Sequence, residues 1–593
     1  MTMKQSAQRM LLSGNEAIAR GAYEAGVRFA ASYPGTPSTE ILETIAAHTD
    51  IECEWSPNEK VAVEVAFGAA LGGVRAMASM KHVGLNVAAD PLMTIAYTGI
   101  NAGMVIVSAD DPGMHSSQNE QDNRHYARFA KVPMLEPADS QECKDFTIEA
   151  FRISEEYDTP VLLRTTTRIS HGKSLVAPGE PLGIEPRGFV RDQPKYVMIP
   201  AHARLRHVVV EERLKRLRDL ANSTPLNRIE HADKSVGIIA SGAAYQYVKE
   251  ACPEASVLRL GMTYPFPDKV VRKFARSVDR LFVVEELDPF IEDQVRALGI
   301  ECIGKERFSL LGELDPVLVA EGVNGRKKRR HSRAQTDGLP QRPPVMCPGC
   351  PHRGVFHVLR KLKVIATGDI GCYTLSVLPP LQMMDTCVCM GASVGSAHGL
   401  EKALGDASRI VGIIGDSTFV HGGITPLIDI AYNKGTSTII ILDNRTTAMT
   451  GHQDHPATGV TARGEQTFRL NLEALCRACG IEDVRVVDPY DLDAVEENVK
   501  AALANRAPSV IIADRPCPLL DRSAWGEPLT VEEDLCAACT VCLKLGCPAM
   551  TLGAEGPKGR RKARIVAEVC AGCALCARIC PKGAIKPASR SKH

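Results

Sequence analysis

Short apolar runs alternate with Gly/Ala-rich helical stretches along most of the chain. After an opening helical pattern, AVEVAFGAALGG (Ala62–Gly73) reads as a closely packing helix, and GMVIVSADDPG (Gly103–Gly113) as a strand running into a turn. The strands are apolar at consecutive rather than alternate positions, as in a parallel sheet covered on both faces. A second group comprises SVGIIASG (Ser235–Gly242), ASVLRLG (Ala255–Gly261) and RLFVVEE (Arg280–Glu286). A third comprises RIVGIIGD (Arg409–Asp416) and TSTIIILDN (Thr436–Asn444). Between the second and third, NGRKKRRHSRAQTDGLPQRPP (Asn324–Pro344) is basic and Pro-rich. It has no interleaved aromatics, which favours a solvated linker over a nucleic-acid patch. The pattern predicts α/β domains over 1–185, 190–325 and 345–525, a linker over 326–344 and a cysteine-rich unit over 526–593.

With 593 residues, 45% of them hydrophobic, there is apolar material for several cores. Lys+Arg and Asp+Glu are both 70, so no net field draws the chain to nucleic acid or an anionic membrane. The opening MTMKQSAQRMLLSGNEAIARG lacks the pattern of a signal peptide, and no apolar run reaches the ~18–20 residues that span a bilayer. A cytoplasmic protein is expected, with neither nucleic acid nor membrane as partner.

Twenty cysteines are too many for structural disulfides in a reducing compartment. Cys536, Cys539, Cys542 and Cys547 form Cys-x2-Cys-x2-Cys-x4-Cys-Pro, and Cys570, Cys573, Cys576 and Cys580 form Cys-x2-Cys-x2-Cys-x3-Cys-Pro. The second is the bacterial ferredoxin spacing, in which the distal Cys of each run serves the other cluster. One [4Fe–4S] cluster is therefore expected on Cys536, Cys539, Cys542 and Cys580, and another on Cys570, Cys573, Cys576 and Cys547. Zinc knuckles or clusters that merely staple the unit are the competing readings.

In the third domain, Asp416 ends one strand within IIGDSTFVHGG (Ile413–Gly423) and Asn444 ends the next. Carboxylate and amide oxygens at neighbouring strand ends can both reach a Mg²⁺. The pair resembles the thiamine-diphosphate motif, Gly-Asp-Gly followed at a distance by Asn, with Ser417 in place of the second Gly. That resemblance implies that Asp416, Asn444 and the Thr446 carbonyl bind Mg²⁺, with Gly391, Gly415 and Ser417 beside the cofactor. Thiamine chemistry also needs a carboxylate against the aminopyrimidine ring. Glu59 in SPNEKVAVEVAFGAALGG (Ser56–Gly73) is the candidate, Glu64 its rival, and a simple helix-dipole charge the bland alternative.

Taken with SYPGTPSTEI (Ser32–Ile41), MKHVGLNVAADPLMT (Met80–Thr94), HSSQNEQDNR (His115–Arg124), CPGCPHRG (Cys347–Gly354), GDIGCYTL (Gly368–Leu375), DTCVCMGASVG (Asp385–Gly395) and MTGHQDHPATG (Met449–Gly459), these motifs resemble the thiamine-diphosphate 2-oxoacid:ferredoxin oxidoreductases. The likeness is to the alpha subunits acting on indolepyruvate, over essentially the whole length. It implies a pyrimidine-binding α/β domain at 1–185, a transketolase C-terminal-like domain at 190–325, a diphosphate- and Mg-binding domain at 345–525 and a two-cluster α+β ferredoxin domain at 526–593. It also implies the reaction: an aryl pyruvate is decarboxylated on thiamine, electrons pass through the clusters to ferredoxin, and coenzyme A takes the acyl group.

Cys347, Cys350, Cys372 and Cys517 resemble the ligands of a third, thiamine-proximal [4Fe–4S] cluster in pyruvate-type relatives, though reduced thiols would fit as well. Cys387 and Cys389 are expected as buried thiols near the cofactor. Where pyruvate-specific relatives carry a substrate-binding Arg, this chain has Asp110 and Asp111. The substrate carboxylate then falls to Lys81, His82 or Arg124, with Thr36 as a hydrogen-bond donor. His82 and His115 are either proton carriers or packed histidines. The pyruvate relatives also carry a further domain that is not matched here, which implies a smaller beta subunit and an α2β2 assembly. The thiamine site is expected between the first and third domains. Pyruvate, branched-chain 2-oxoacids and 2-oxoglutarate are the alternative substrates. A non-oxidative thiamine lyase and a non-catalytic electron carrier are the other classes.

Overall fold

The computed structural model describes residues 8–47, 50–325 and 344–588, and the chain divides into two units, 1–338 and 339–593. The basic linker lies almost wholly outside the described residues.

The first unit is built on a seven-stranded sheet in the order Met262–Tyr264, Met134–Leu135, Val161–Thr166, Met104–Asp110, Ala76–Lys81, Phe29–Ser32, Glu52–Trp55. All neighbours are parallel except the first pair, which is antiparallel. Met104–Asp110 and Ala76–Lys81 are buried at every position, which explains their unbroken apolar runs. The chain turns from one side of Phe29–Ser32 to the other in passing from Glu52–Trp55 to Ala76–Lys81. Ligands gather beyond the carboxyl ends of strands at such a switch. The loop with Thr36 leaves one of these ends and Lys81–His82 the other.

A smaller sheet holds Leu281–Val284, Asp233–Ser241, Ala255–Leu260 and Asn227–Glu230. It does not close on itself: Met262–Tyr264 continues out of it to pair with Met134–Leu135 of the larger sheet. Arg124 sits at the seam, fully buried, donating to Asp122 on one side and to Glu285 (2.6 Å) on the other.

In the second unit six parallel strands run in the order Thr386–Cys387, Ile365–Gly368, Ile410–Gly415, Thr438–Asp443, Ser509–Asp514, Asp483–Val487. The order reverses at Ile365–Gly368, whose two neighbours follow it in sequence. Asp369, Asp416 and Asn444 therefore stand just beyond three adjacent strand ends at a second switch point. The cysteine-rich segment adds two antiparallel ribbons, Leu529–Val531 with Ile585–Pro587 and Met550–Glu555 with Arg561–Ile565. Its thiols take part in a small core with Leu545, Leu575 and Ile585.

Candidate active site and thiol relay

At the switch point of the second unit, Asp416 is buried and opens the short helix Asp416–Thr418. Ser417 lies within that helix, where a β-carbon is tolerated and no glycine is needed. Asp416 accepts from the Ser417 amide (2.9 Å) and the Arg445 amide (2.8 Å). Arg445 holds φ +59°, an uncommon conformation for a side-chain-bearing residue, and this brings its amide between Asp416 and Asp443. The Asn444 amide lies 2.9 Å from the Thr446 carbonyl oxygen and 3.3 Å from Asp416 Oδ1, its nitrogen donating to both. Turned about, the amide would bring its oxygen to the same place, so that three oxygens of the kind a hard divalent ion takes would converge there. Asp443, beside Asp416, is pushed up to about 7 by burial and by that neighbour.

Around this centre stand groups that sequence reading passed over. His455 Nε2 lies 3.3 Å from Asp416 Oδ2. Tyr373 is buried, accepts from the Gly415 amide (2.9 Å), and its ring would be 2.9 Å from a β-carbon at Gly415. Asp369 accepts from the amides of Gly391 and Ser393 and so ties the turn that opens the helix Ala392–Leu404. Gly391 (φ +93°) comes so close to Gly422 that a β-carbon would meet its carbonyl at 2.3 Å. His455 and Asp369 lie inside quoted motifs, and proximity to the strand ends is the signal that could have found them.

Twelve of the twenty cysteines fall into three foursomes. Cys536, Cys539, Cys542 and Cys580 line one cavity with Val531 and Ile585. Burial pushes Cys542 up to about 11, and its next influences include Cys580, Cys536 and Cys539. Burial likewise raises Cys576, with Cys573, Cys547 and Cys570 bearing on it, followed by Cys542 of the first group. Cys350 is pushed up to about 12 by burial and feels Cys372 and Cys347; Cys372, at about 11, feels Cys517 and Cys347. Cys517 in turn feels Cys347 and Asp416. The inner foursome (347, 350, 372, 517) adjoins the strand end through Cys517, whose amide donates to the Asn444 carbonyl at 2.9 Å; its Gly349 packs on Ala571 beside the middle one (547, 570, 573, 576), which shares a core with the outer one (536, 539, 542, 580). Amides of Leu529 and Ala584 donate to Cys570 and Cys580 sulfurs at 3.5 and 3.4 Å. Cys387 and Cys389 belong to none of the foursomes. They were expected to be buried but are exposed, because Thr386–Cys387 is a two-residue strand at the open edge of the sheet.

In the first unit, Glu59 is buried at the start of the helix Glu59–Leu71, capped by Asn58. Its carboxylate packs so tightly on Gly84 that a β-carbon there would lie 2.6 Å from Oε1. Glu64 is exposed and bonds to Lys60. Lys81 is buried; Nζ donates to the Ser116 carbonyl (2.5 Å), and Ser116 Oγ donates to the Thr36 carbonyl (3.2 Å). Burial lowers Lys81 to about 8 against the pull of Asp111. Asp111 accepts from Ser116, Ser117 and Thr167, which folds the 114–119 loop back over Lys81. His82 is fully buried, lowered to about 4 by burial and by Lys81, and packed 3.3 Å from the Asn119 carbonyl. Asp110 is bound to Arg164 at 2.7 Å, and His115 to Glu313 at 2.9 Å. Arg124 is held at the seam by Asp122 and Glu285.

Two family profiles match this architecture: "Pyruvate flavodoxin/ferredoxin oxidoreductase, thiamine diP-bdg" over residues 20–202, and "Thiamine pyrophosphate enzyme, C-terminal TPP binding domain" over 369–513. With the parallel sheets they define a thiamine-diphosphate oxidoreductase of the 2-oxoacid:ferredoxin class. The chain is 44% identical to the indolepyruvate oxidoreductase subunit IorA of Methanothermobacter marburgensis, covering 98% of this chain and 97% of that one. It is 42% identical to the same subunit of Archaeoglobus fulgidus, covering 98% of each. A 2-oxoglutarate synthase subunit KorA of A. fulgidus is 26% identical over 47% of this chain and 88% of its own. The chain belongs to the indolepyruvate oxidoreductase IorA family. Among the described residues, no helix is long and apolar enough to cross a membrane.

Proposed function

We propose that the chain carries out CoA-dependent oxidative decarboxylation of aryl pyruvates, indolepyruvate and phenylpyruvate foremost. The products are the arylacetyl-CoA, CO₂ and reduced ferredoxin, and the work is done in the cytoplasm with a smaller beta subunit, as α2β2. The observation that supports the redox reading is the seat of the inner foursome: the Cys517 amide donates to the Asn444 carbonyl at 2.9 Å, which puts this cysteine beside the proposed cofactor site.

Bound thiamine diphosphate supplies the electron sink for loss of CO₂, and [4Fe–4S] clusters on the three foursomes would carry electrons away singly. The oxygens of Asp416, Asn444 and Thr446 would hold Mg²⁺ against the diphosphate, with Gly391, Gly415 and Ser417 alongside. Glu59, held in one position by Gly84, would accept the pyrimidine proton. Of the three cations considered for the substrate carboxylate, Arg124 is committed to Asp122 and Glu285 and His82 is neutral. Lys81, whose strong bond is to a carbonyl, is free to take that role, with Thr36 beside it. His82 then serves as packing for the Lys81 loop.

The test is viologen reduction by the anaerobically purified two-subunit enzyme with thiamine diphosphate, Mg²⁺ and CoA. Fast CoA-dependent turnover of indolepyruvate and phenylpyruvate, with slow turnover of pyruvate and 2-oxoglutarate, is expected. Equal or better use of pyruvate would overturn the substrate assignment.

A further inference from the structure

Arg353, in the first turn of the helix His352–Leu362, is 3% exposed. Its guanidinium donates to the Leu545 carbonyl at 2.8 Å, to the Met346 carbonyl, and at 3.4 Å to the Cys347 carbonyl. Met346 directly precedes Cys347, and Leu545 stands just before Cys547. One side chain therefore ties the loop of the inner foursome to the loop of the middle one. The Arg353 amide donates to the Cys350 carbonyl at 3.3 Å, and a β-carbon on Gly546, next to Cys547, would lie 3.4 Å from its guanidinium. Tyr490 shares the seam, bonding to the Gly349 carbonyl, and its hydroxyl feels both Cys573 and Cys350.

All of these hydrogen-bond partners are neutral carbonyls, and among the described residues Arg353 makes no ion pair. A buried cation without a counter-charge is costly. Three equally buried arginines meet carboxylates: Arg124 has Asp122 and Glu285, Arg164 has Asp110 and Glu136, and Arg259 has Glu142; Arg213 donates, like Arg353, only to carbonyls, those of Ala96 and Asp158, but has the Asp158 charge near it. At Arg353 the groups in the position of a counter-charge are the two foursomes. Ligated to iron as thiolates, each would form an anionic cluster, more negative still when reduced.

We propose that Arg353 is a positioning residue of the electron path, raising the reduction potentials of the inner and middle clusters together relative to the outer one. A fixed positive charge favours the more negative, reduced state of whichever cluster lies beside it. The proposal rests on the reading of Cys347, Cys350, Cys372 and Cys517 as cluster ligands.

The experiment compares wild-type, Arg353→Gln and Arg353→Lys two-subunit enzymes by iron and sulfide content and by EPR-monitored redox titration. Arg353→Gln should lower the midpoint potentials of the inner and middle clusters and leave the outer one in place, while Arg353→Lys stays near wild type. Unchanged potentials in a fully loaded Arg353→Gln enzyme would overturn the proposal, as would an equal shift in Arg353→Lys. If Arg353→Gln loses iron, loss confined to the inner and middle sites and restored by Lys supports the counter-charge role. Loss from all three sites would mark a merely structural residue and overturn it. Wild-type iron for two clusters alone would refute the inner-cluster reading. The middle potential then decides: a drop in Arg353→Gln upholds its part, and no drop ends it.

Discussion

The Asn444 side-chain amide lies 3.3 Å from Asp416 Oδ1 and 2.9 Å from the Thr446 carbonyl, its nitrogen donating to both. A half-turn of that amide would set a triad of oxygens around a divalent cation. Asp416→Ala and Asn444→Leu should each weaken Mg²⁺-dependent thiamine diphosphate binding by more than about 10-fold. Calorimetry at several Mg²⁺ concentrations measures this, and EDTA should abolish binding by the wild type. Binding that is indifferent to Mg²⁺ would remove the triad from the site.

Glu59 and Gly84 are packed so closely that one can be displaced through the other. Glu59→Gln should lower turnover by about 10²–10⁴-fold, the usual worth of a positioned proton-transfer group, while the iron–sulfur absorbance stays intact. Gly84→Ala places a methyl 2.6 Å from the carboxylate oxygen. It should act in the same direction with a smaller loss. Glu64→Gln, altering an exposed side chain, should leave turnover near wild type.

Much of this was legible in the sequence because the signals are local. The two ferredoxin-like runs stand out by their spacing, and Asp416 and Asn444 by following two apolar runs. Other features depend on chain segments far apart. Nothing local shows that Glu59 is buried against Gly84 while Glu64 is exposed. Arg353 looks like an ordinary helix-start cation until Leu545 comes to it from the cysteine-rich segment. The pairing of Met262–Tyr264 with Met134–Leu135 joins segments over a hundred residues apart, so two apparently independent blocks share a sheet. Cys387 and Cys389 looked buried because their neighbours are apolar, whereas edge position decided their exposure.

Lys81 gives a pH dependence with a definite sign. Its folded value of about 8 lies below the ordinary 10.5 because burial disfavours its charge. As pH rises through about 8 the ammonium is lost, so KM for the 2-oxoacid should climb above that pH. Folding gains from the same group in the opposite sense: between about 8 and 10.5 the unfolded chain holds a proton the folded chain has released, so this contribution to stability rises with pH. Lys81→Met should raise KM by about 10- to 100-fold, in line with about 1.5–3 kcal/mol for a charged hydrogen bond, and flatten the KM profile. A profile that keeps its rise in Lys81→Met would assign the carboxylate to another group.

On the proposed mechanism, decarboxylation feeds electrons into the chain's own thiol-bound clusters. Indolepyruvate is mixed anaerobically with the oxidised two-subunit enzyme, thiamine diphosphate, Mg²⁺ and CoA, with no external acceptor, while iron–sulfur absorbance and CO₂ are followed together. Prompt bleaching with CO₂ release is expected, both lost in Asp416→Ala and Glu59→Gln. Release of CO₂ and an aldehyde without bleaching would contradict it, and would make the chain a non-oxidative lyase with structural clusters.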